Sequence, residues 1–218
     1  MNRELILIGG GDYRKNENIE IDDYISKLLK REDKILIIPF AVKEEYRREN
    51  RVNSIKKVFN RRGFFNFDYL NERLEDLESM EKKISSASAI FITGGDPKLL
   101  IKTLKNVKII DSLKKFEGII IGYSAGAMIF RNPMIILGGI DEKYERTESI
   151  NLGIDFYKFV VSPHYLNNQD FLLLKESRDK SILAIADKSA VIFKGGRTLT
   201  IGEIFIFENM TKDIFKSS

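Results

Sequence analysis

Residues 118 to 128 constrain the fold of this chain most strongly, because they combine an apolar run, a glycine turn and a run of small residues. Ile119-Ile120-Ile121 stops at Gly122, and residues 122 to 126 then match the pattern G-x-S-x-G around Ser124. In a nucleophile elbow of this kind, a strand enters a sharp turn and leaves as a helix, so that the serine hydroxyl stands above the sheet edge. Backbone N–H groups at the start of the helix can bind an oxyanion. The alternative is a glycine-rich strand-to-helix turn of any α/β protein.

His164 is the single histidine of the chain, and it follows the apolar run Phe159-Val160-Val161 and Pro163. A serine hydroxyl is a poor nucleophile until a base takes its proton, and histidine is the usual base near neutral pH. Its position at a predicted strand end is where an α/β sheet presents active residues. A half-buried structural histidine is the alternative. Together with the elbow, His164 favours catalysis, and the Ser124–His164 pairing is then forced.

Strands and helices alternate in the predicted secondary structure through residue 130. The predicted strands in this part of the chain are Leu5–Ile8, Ile35–Ile38, Phe64–Tyr69, Ala89–Thr93 and the strand that leads into the elbow. This alternation predicts an α/β fold with three layers, in which a mainly parallel sheet has helices on both faces. After residue 130, short strands and the turn at Lys194–Arg197 predict antiparallel C-terminal strands, and Phe156–Val161 is the predicted strand before His164. We expect a single domain over residues 1–218.

Two further glycine turns follow predicted strands. Gly9-Gly10-Gly11 is not a dinucleotide fingerprint, because the third required glycine is replaced by Arg14, but it lets another group approach the backbone closely. Gly94-Gly95 can supply backbone N–H groups as the second half of an oxyanion hole beside Ala125. Asp96 is a possible N-cap of the helix that follows. An ordinary capped turn is the alternative here.

Composition excludes several functions. The 36 basic and 32 acidic residues leave a net charge of +4, which does not predict nucleic-acid binding, and basic runs such as Arg47-Arg48 predict solvated surface. With no cysteine and one histidine, a thiol nucleophile and a zinc site are not expected. We find neither a signal-peptide pattern nor an apolar run of membrane-spanning length, so we expect a cytoplasmic protein with no membrane partner. The oligomeric state is not indicated.

Three motifs in this order, Gly94-Gly95-Asp96, residues 122 to 127 and Ser162-Pro163-His164-Tyr165, resemble those of the dipeptidase E and cyanophycinase family of serine peptidases. The resemblance covers nearly the whole chain and implies a fold related to class I glutamine amidotransferases. It implies that Ser124 is the nucleophile, that His164 is the base, and that the N–H groups of Gly95 and Ala125 form the oxyanion hole. It also puts Gly94 and Asp96 at the substrate cleft, and it implies no metal ion or organic cofactor.

The same resemblance places the acid of a Ser-His-Glu/Asp triad between the serine and the histidine. Glu142 fits the intervals of the family and is favoured over its neighbour Asp141, while Glu145 and Glu148 are outside candidates. The acid is needed to fix the imidazole tautomer and to stabilise the imidazolium.

Pro163 before the histidine is similar to the dipeptidase branch, which implies a serine exopeptidase acting on short peptides with N-terminal aspartate. The aspartyl carboxylate would need a cation. Arg131 and Arg178 are possible partners, although either could be a surface residue. Leu166–Gln169 stands where cyanophycinases tend to carry arginines, which counts against cyanophycin as substrate. The alternatives are a non-catalytic amidotransferase-like binding module, and a cyanophycinase-like enzyme or another serine hydrolase such as an esterase.

Overall fold

The computed structural model describes residues 4–131, 134–137, 147–150 and 158–218. The strands, in chain order, are β1 Glu4–Ile8, β2 Ile35–Ile38, β3 Phe67–Tyr69, β4 Ala89–Ile92, β5 Ile119–Tyr123, β6 Met134–Leu137, β7 Thr147–Ile150, β8 Val160–Pro163, β9 Ile182–Ile185, β10 Ala190–Lys194, β11 Arg197–Ile201, β12 Ile204–Glu208 and β13 Thr211–Ile214. The helices are α1 Ile19–Leu28, α2 Glu45–Asn60, α3 Leu77–Ser85, α4 Pro97–Asn106, α5 Ile110–Lys115, α6 Ala125–Met128 and α7 Asp170–Glu176, with short 3-10 turns at Tyr13–Lys15 and Asn167–Gln169.

A seven-stranded sheet with the order β11-β10-β1-β5-β4-β2-β3 forms the centre of the fold. Strands β1 to β5 are parallel to one another, whereas β10 pairs antiparallel with both β1 and β11. The carboxyl ends of β1, β4 and β5 therefore meet at one edge, where the three glycine turns of the sequence lie together.

Both faces of this sheet are buried against helices, because side chains alternate between the faces along each strand. In β1, Leu5 and Leu7 belong to one apolar cluster, which includes residues of α3 to α6, while Ile6 and Ile8 belong to another, which includes residues of α1 and α2. This is the predicted three-layer arrangement with a mainly parallel sheet, and it is confirmed.

The C-terminal half builds a second sheet of order β13-β12-β9-β8 and a β6–β7 hairpin. In the second sheet β8 and β9 are parallel, and the pairs β9–β12 and β12–β13 are antiparallel, as are β10 and β11 in the main sheet. The predicted antiparallel C-terminal strands are thus present. No helix among the described ranges is long and apolar enough to cross a membrane.

Several strands differ from the sequence prediction, and three of these differences are larger than one residue or add a strand. Strand β3 starts at Phe67 rather than Phe64, since Phe64 packs into the core beside α2, where it is 2% exposed. The strand before the histidine is Val160–Pro163, and residues 151–157 lie outside the described ranges. Strand β13 was not predicted, because Thr211–Ile214 is a mostly exposed edge strand without apolar alternation.

Candidate active site

Ser124 lies on the turn between β5 and α6, as the elbow pattern predicts. Its backbone has φ 53° and ψ −113°, a conformation that a residue with a side chain adopts only when its surroundings impose it. The turn is held from below, since the Ser124 N–H donates to the Ile8 carbonyl of the neighbouring strand at 2.9 Å. Ser124 is only 8% exposed, so most of the residue is covered by its neighbours.

Two glycines make this turn possible by allowing close packing. A Cβ atom on Gly122 would lie 2.5 Å from the carbonyl oxygen of Gly126, and one on Gly126 would overlap the carbonyl oxygen of Ile92 in β4. Any side chain at either position would therefore push α6 away from the sheet. The G-x-S-x-G spacing is thus explained by packing on both sides of the serine.

His164 follows β8 directly, and its ring reaches the elbow from the second sheet. The distance between His164 Nε2 and Ser124 Oγ is 2.5 Å, a short hydrogen bond between residues 40 positions apart in the chain. His164 itself has a positive φ of 144°, which turns its side chain out of the strand path. The structure therefore brings the two predicted residues together at the distance that proton transfer requires.

Asp187 lies on the other side of the imidazole. Its Oδ1 atom is 2.8 Å from His164 Nδ1, and both side chains are about half exposed. Asp187 stands just after β9, which is the parallel neighbour of β8, so two adjacent strand ends supply the histidine and the carboxylate. His164 thus contacts Ser124 through Nε2 and Asp187 through Nδ1.

The glycine turn after β1 supports this pair. A Cβ atom on Gly10 would overlap both Asp187 Oδ1 and His164 Nδ1. The Gly10 carbonyl accepts a hydrogen bond from the Lys188 N–H at 3.1 Å, and the Gly9 N–H donates to the Ser189 carbonyl at 3.0 Å. The sequence predicts that another group can approach the turn at residues 9–11 closely, and that group is the loop that carries Asp187.

Sequence reasoning did not consider Asp187. The predicted acids Asp141 and Glu142, and the outside candidate Glu145, lie outside the described ranges, so their role stays a prediction. For the other outside candidate, Glu148, the structure describes the backbone of β7 alone. Two signals were available for Asp187: it lies two residues after a predicted strand, and the glycine turn at residues 9–11 required a close neighbour.

The second glycine turn lies against the nucleophile. A Cβ atom on Gly94 would be 3.0 Å from Ser124 Cβ, and one on Gly95, where φ is 141°, would overlap the Ala41 carbonyl oxygen. This backbone is therefore within reach of a carbonyl bound at Ser124, as is Ala125 at the start of α6. The assignment of Gly95 and Ala125 to an oxyanion hole is consistent with this packing and stays a prediction.

Asp96 is the N-cap of α4. Its Oδ1 atom accepts from the N–H groups of Lys98 at 2.8 Å and Leu99 at 3.2 Å, as the sequence suggested, and its own N–H donates to the Ala41 carbonyl at 2.8 Å. These bonds fix the glycine turn in front of the helix. A direct contact of Asp96 with substrate stays a prediction.

A cavity of about 560 Å³ opens beside the elbow. Gly94 and Tyr123, the neighbours of Ser124, form one end of its wall. The other lining residues are Gly11, Asp12, Tyr13, Arg14, Arg47, Asn50, Arg51, Ser54, Ile55, Phe91 and Thr93. Neither Arg131 nor Arg178, the cations suggested by the sequence, is among these lining residues.

Charge and burial around this cavity change several pKa values. The hydrogen bond from the Arg14 side chain lowers the pKa of Asp12 to about 2, so this carboxylate stays ionised. Burial raises the pKa of Tyr123, whose hydroxyl donates to the Gly11 carbonyl. Burial lowers the pKa of Arg51. The cavity therefore holds arginine side chains close to a neutral tyrosine.

Arg48 corrects the interpretation of the Arg47-Arg48 run as solvated surface. Its residue is 4% exposed, and its guanidinium donates to the Val42 carbonyl at 2.5 Å and to Glu72 Oε2 at 2.6 Å. Helical periodicity explains the difference, since Arg48 lies one turn before the buried Val52 and thus on the inner face of α2.

A serine that contacts a histidine at the edge of a mainly parallel α/β sheet defines a hydrolase of the serine type. The sequence profile of Peptidase family S51 matches residues 5–201, and the chain belongs to this family. It is therefore a serine peptidase.

Solved structures share this fold. A crystal structure of a peptidase from an acI-B1 Actinobacterium matches with a TM-score of 0.71 and 22% identity, covering 99% of this chain and 95% of that one. A putative Peptidase E protein from Listeria monocytogenes EGD-e matches with a TM-score of 0.68 and 18% identity, covering 91% and 98%. No curated protein sequence is significantly similar. In the part of the chain that the structure describes, no group of three or more acidic, histidine or cysteine side chains could hold a metal ion.

Proposed function

We propose that this serine peptidase is an exopeptidase that hydrolyses short peptides, in particular dipeptides with an N-terminal aspartate, through Ser124, His164 and Asp187. The observation that carries the proposal is the 2.5 Å distance between Ser124 Oγ and His164 Nε2. A hydroxyl at this distance from a neutral imidazole can lose its proton as it attacks a carbonyl.

In the first step, Ser124 Oγ attacks the scissile carbonyl carbon while its proton passes to His164 Nε2. The carbonyl oxygen becomes an oxyanion, which the backbone N–H groups of Gly95 and Ala125 would bind. Because Ser124 is held by its strained turn rather than by a flexible loop, little reorganisation is needed at the moment of attack.

Asp187 acts through the imidazole. Its carboxylate accepts a hydrogen bond from Nδ1–H, which keeps Nε2 free to accept the serine proton and stabilises the imidazolium that forms. We therefore prefer Asp187 to Glu142 and Asp141 as the acid, since its contact with His164 is present among the described residues.

In the second step, His164 gives its proton to the leaving amine, and the peptide bond breaks. Water then attacks the acyl carbon while one of its protons passes to His164. His164 returns that proton to Ser124 Oγ as the bond between the acyl carbon and Oγ breaks, which releases the carboxylic acid product and restores the hydroxyl. These steps need no metal ion or organic cofactor. A cytoplasmic location, which the sequence predicts, remains part of the proposal.

The experiment is the release of free aspartate from a panel of Asp-Xaa dipeptides by the wild type, Ser124→Ala and His164→Ala. Rates should fall by roughly 10⁴- to 10⁶-fold in both variants, because the two residues act as a unit. Ser85→Ala, which removes an exposed serine hydroxyl on α3, is the matched control and should keep the full rate.

Labelling of Ser124 by a fluorophosphonate probe separates the parts of the proposal. A labelled enzyme that releases no aspartate would keep the nucleophile and overturn the aspartyl specificity. An enzyme that is neither labelled nor active would overturn the role of Ser124.

A further inference from the structure

We propose that Arg51 determines substrate specificity by binding the side-chain carboxylate of the acidic N-terminal residue. This inference rests on the proposed function, and it assigns the cation that the aspartyl side chain would need.

The cavity that contains Arg51 lies next to the nucleophile, although Ser124 itself is not among its lining residues. Gly94 and Tyr123 line it; Tyr123 directly precedes Ser124 in the chain, and a Cβ atom on Gly94 would lie 3.0 Å from Ser124 Cβ. A residue whose carbonyl carbon is bound at Ser124 can therefore extend its side chain into this space. The volume of about 560 Å³ is large enough for a small polar side chain together with its α-amino group.

Arg14 and Arg47, which also line the cavity, already have partners. Arg14 donates from Nε to Asp12 Oδ1 at 3.0 Å and pairs with Asp12 Oδ2 at 2.9 Å. Arg47 donates to the Tyr46 hydroxyl at 3.0 Å and lies 4.0 Å from a carboxylate oxygen of Glu44. Both side chains are mostly exposed, at 81% and 61%, so water screens their charge.

Arg51 differs from both. It is half-buried on α2, and among the described residues no carboxylate forms an ion pair with it and no acceptor takes its hydrogen bonds. A guanidinium cannot lose its charge at neutral pH, and a partly desolvated charge without a counterion is costly. A ligand carboxylate would restore the missing partner, and the guanidinium can bind it through two parallel hydrogen bonds.

A dipeptide brings two carboxylates, one on the N-terminal side chain and one at the C-terminus. We assign the side-chain carboxylate to Arg51, because Arg51 lines the same cavity as Tyr123 and Gly94, which lie beside the serine that binds the acyl group. Three substrates distinguish the two sources: Asp-Leu, Asn-Leu, which replaces the side-chain carboxylate by an amide, and the C-terminal amide of Asp-Leu.

The test compares kcat/KM for these substrates in wild type, Arg51→Gln and Arg61→Gln. The control removes an equal charge from the exposed end of the same helix, outside the cavity. In wild type and Arg61→Gln we expect a preference for Asp-Leu over Asn-Leu of roughly 10- to 100-fold, the usual effect of a charged hydrogen bond. In Arg51→Gln this preference should fall to about one, with kcat/KM for Asn-Leu little changed.

An unchanged preference in Arg51→Gln would overturn the inference while leaving the proposed function intact. A loss of discrimination between Asp-Leu and its C-terminal amide, with the Asp/Asn preference kept, would overturn it in favour of the C-terminal carboxylate.

Protection of Ser124 tests the site without hydrolysis. Succinate should slow fluorophosphonate labelling of the wild type and of Arg61→Gln, and it should not slow labelling of Arg51→Gln, while labelling without succinate reports that each variant is folded. If the wild type cleaves no Asp-peptide, the proposed substrate fails, and protection still decides whether Arg51 binds a carboxylate. Equal protection in all three proteins, or in none, would overturn the inference.

Discussion

His164 Nδ1 lies 2.8 Å from Asp187 Oδ1, although the two residues are 23 positions apart in the chain. The contact exists because β8 and β9 are parallel neighbours whose carboxyl ends deliver one residue each to the same point. The hydrogen bond between Nδ1 and the carboxylate fixes which ring nitrogen of His164 carries the proton, so catalysis should depend on Asp187.

Asp187→Asn should lower kcat by roughly 10²- to 10⁴-fold, because the amide can bind the wrong tautomer of His164 and cannot stabilise the imidazolium. KM should change little, since the carboxylate acts through the histidine. The measurement is steady-state hydrolysis of an Asp-Xaa dipeptide. Glu142→Gln and Asp141→Asn are the comparison, and we expect both to stay within about threefold of wild type. A large loss in Glu142→Gln together with an active Asp187→Asn would reverse the assignment.

Gly10→Ala should lower activity without a comparable loss of stability. The added methyl would overlap Asp187 Oδ1 and His164 Nδ1, and these side chains can move away into solvent. Displacement of a catalytic group by about 1 Å can cost roughly 100-fold in rate. Gly196→Ala is the control: its Cβ would meet nothing within 4 Å, but its φ of 82° makes alanine strained. It should lose about 1 kcal/mol of stability and no activity. Equal rates for the two variants would refute this role of Gly10.

The fold and the Ser124–His164 pair could be predicted because their signals are local. Apolar runs, glycine turns and the elbow pattern each lie within a few residues, and a single histidine leaves one possible partner for the serine. The local signals for Asp187, its place after a predicted strand and the glycine turn that needs a close neighbour, do not identify it as the acid. A carboxylate after a strand becomes an acid only if that strand pairs beside the one carrying the histidine, and strand order is a long-range property.

The environments of Arg48 and Arg51 were not predicted for a related reason. Val52, Ile55 and Phe59 form an apolar stripe along α2, but this stripe alone does not separate arginines shielded from solvent from those on the surface. Their environment is set by which side of the helix meets the sheet. Only the packed structure separates Arg48, which binds Glu72, from Arg51, which lines the cavity.

Arg48→Met should destabilise the fold by about 3 kcal/mol, since Glu72 then keeps only the half-exposed Arg73, 3.9 Å away, and the Val42 carbonyl loses its donor. The effect should extend to catalysis, because the preceding Ala41 carbonyl accepts the Asp96 N–H and supports the Gly94-Gly95 turn. Urea denaturation and kcat/KM are the measurements.

Lys57→Met, an exposed change on the same helix, is the control for Arg48→Met and should stay within about 0.5 kcal/mol of wild type. Equal unfolding free energies for these two methionine variants would contradict the role given to the Arg48–Glu72 pair. The double change Arg48→Met with Glu72→Leu should recover part of the loss, because the mostly covered Glu72 carboxylate is then no longer deprived of its short contact with Arg48.

Asp22 is fully buried on α1, with neither carboxylate oxygen hydrogen-bonded among the described residues. Burial raises its pKa from 3.8 to about 7. The folded protein then binds a proton more tightly than the unfolded chain, so this group lowers the free energy of unfolding as pH rises from about 4 to about 7, and its penalty is constant above that range.

Asp22→Asn removes this titration while keeping the shape of the side chain. Relative to wild type, the variant should gain about 2–4 kcal/mol at pH 8, where wild type must bury a charge, and close to nothing at pH 4, where Asp22 is protonated in the fold. Urea denaturation at pH 4, 6 and 8 measures the difference. Asp23→Asn, an exposed neighbour paired with Arg62, should show no such gain. If the stability difference between Asp22→Asn and wild type does not grow with pH, the pKa of Asp22 is not raised in the folded protein, and this prediction is wrong.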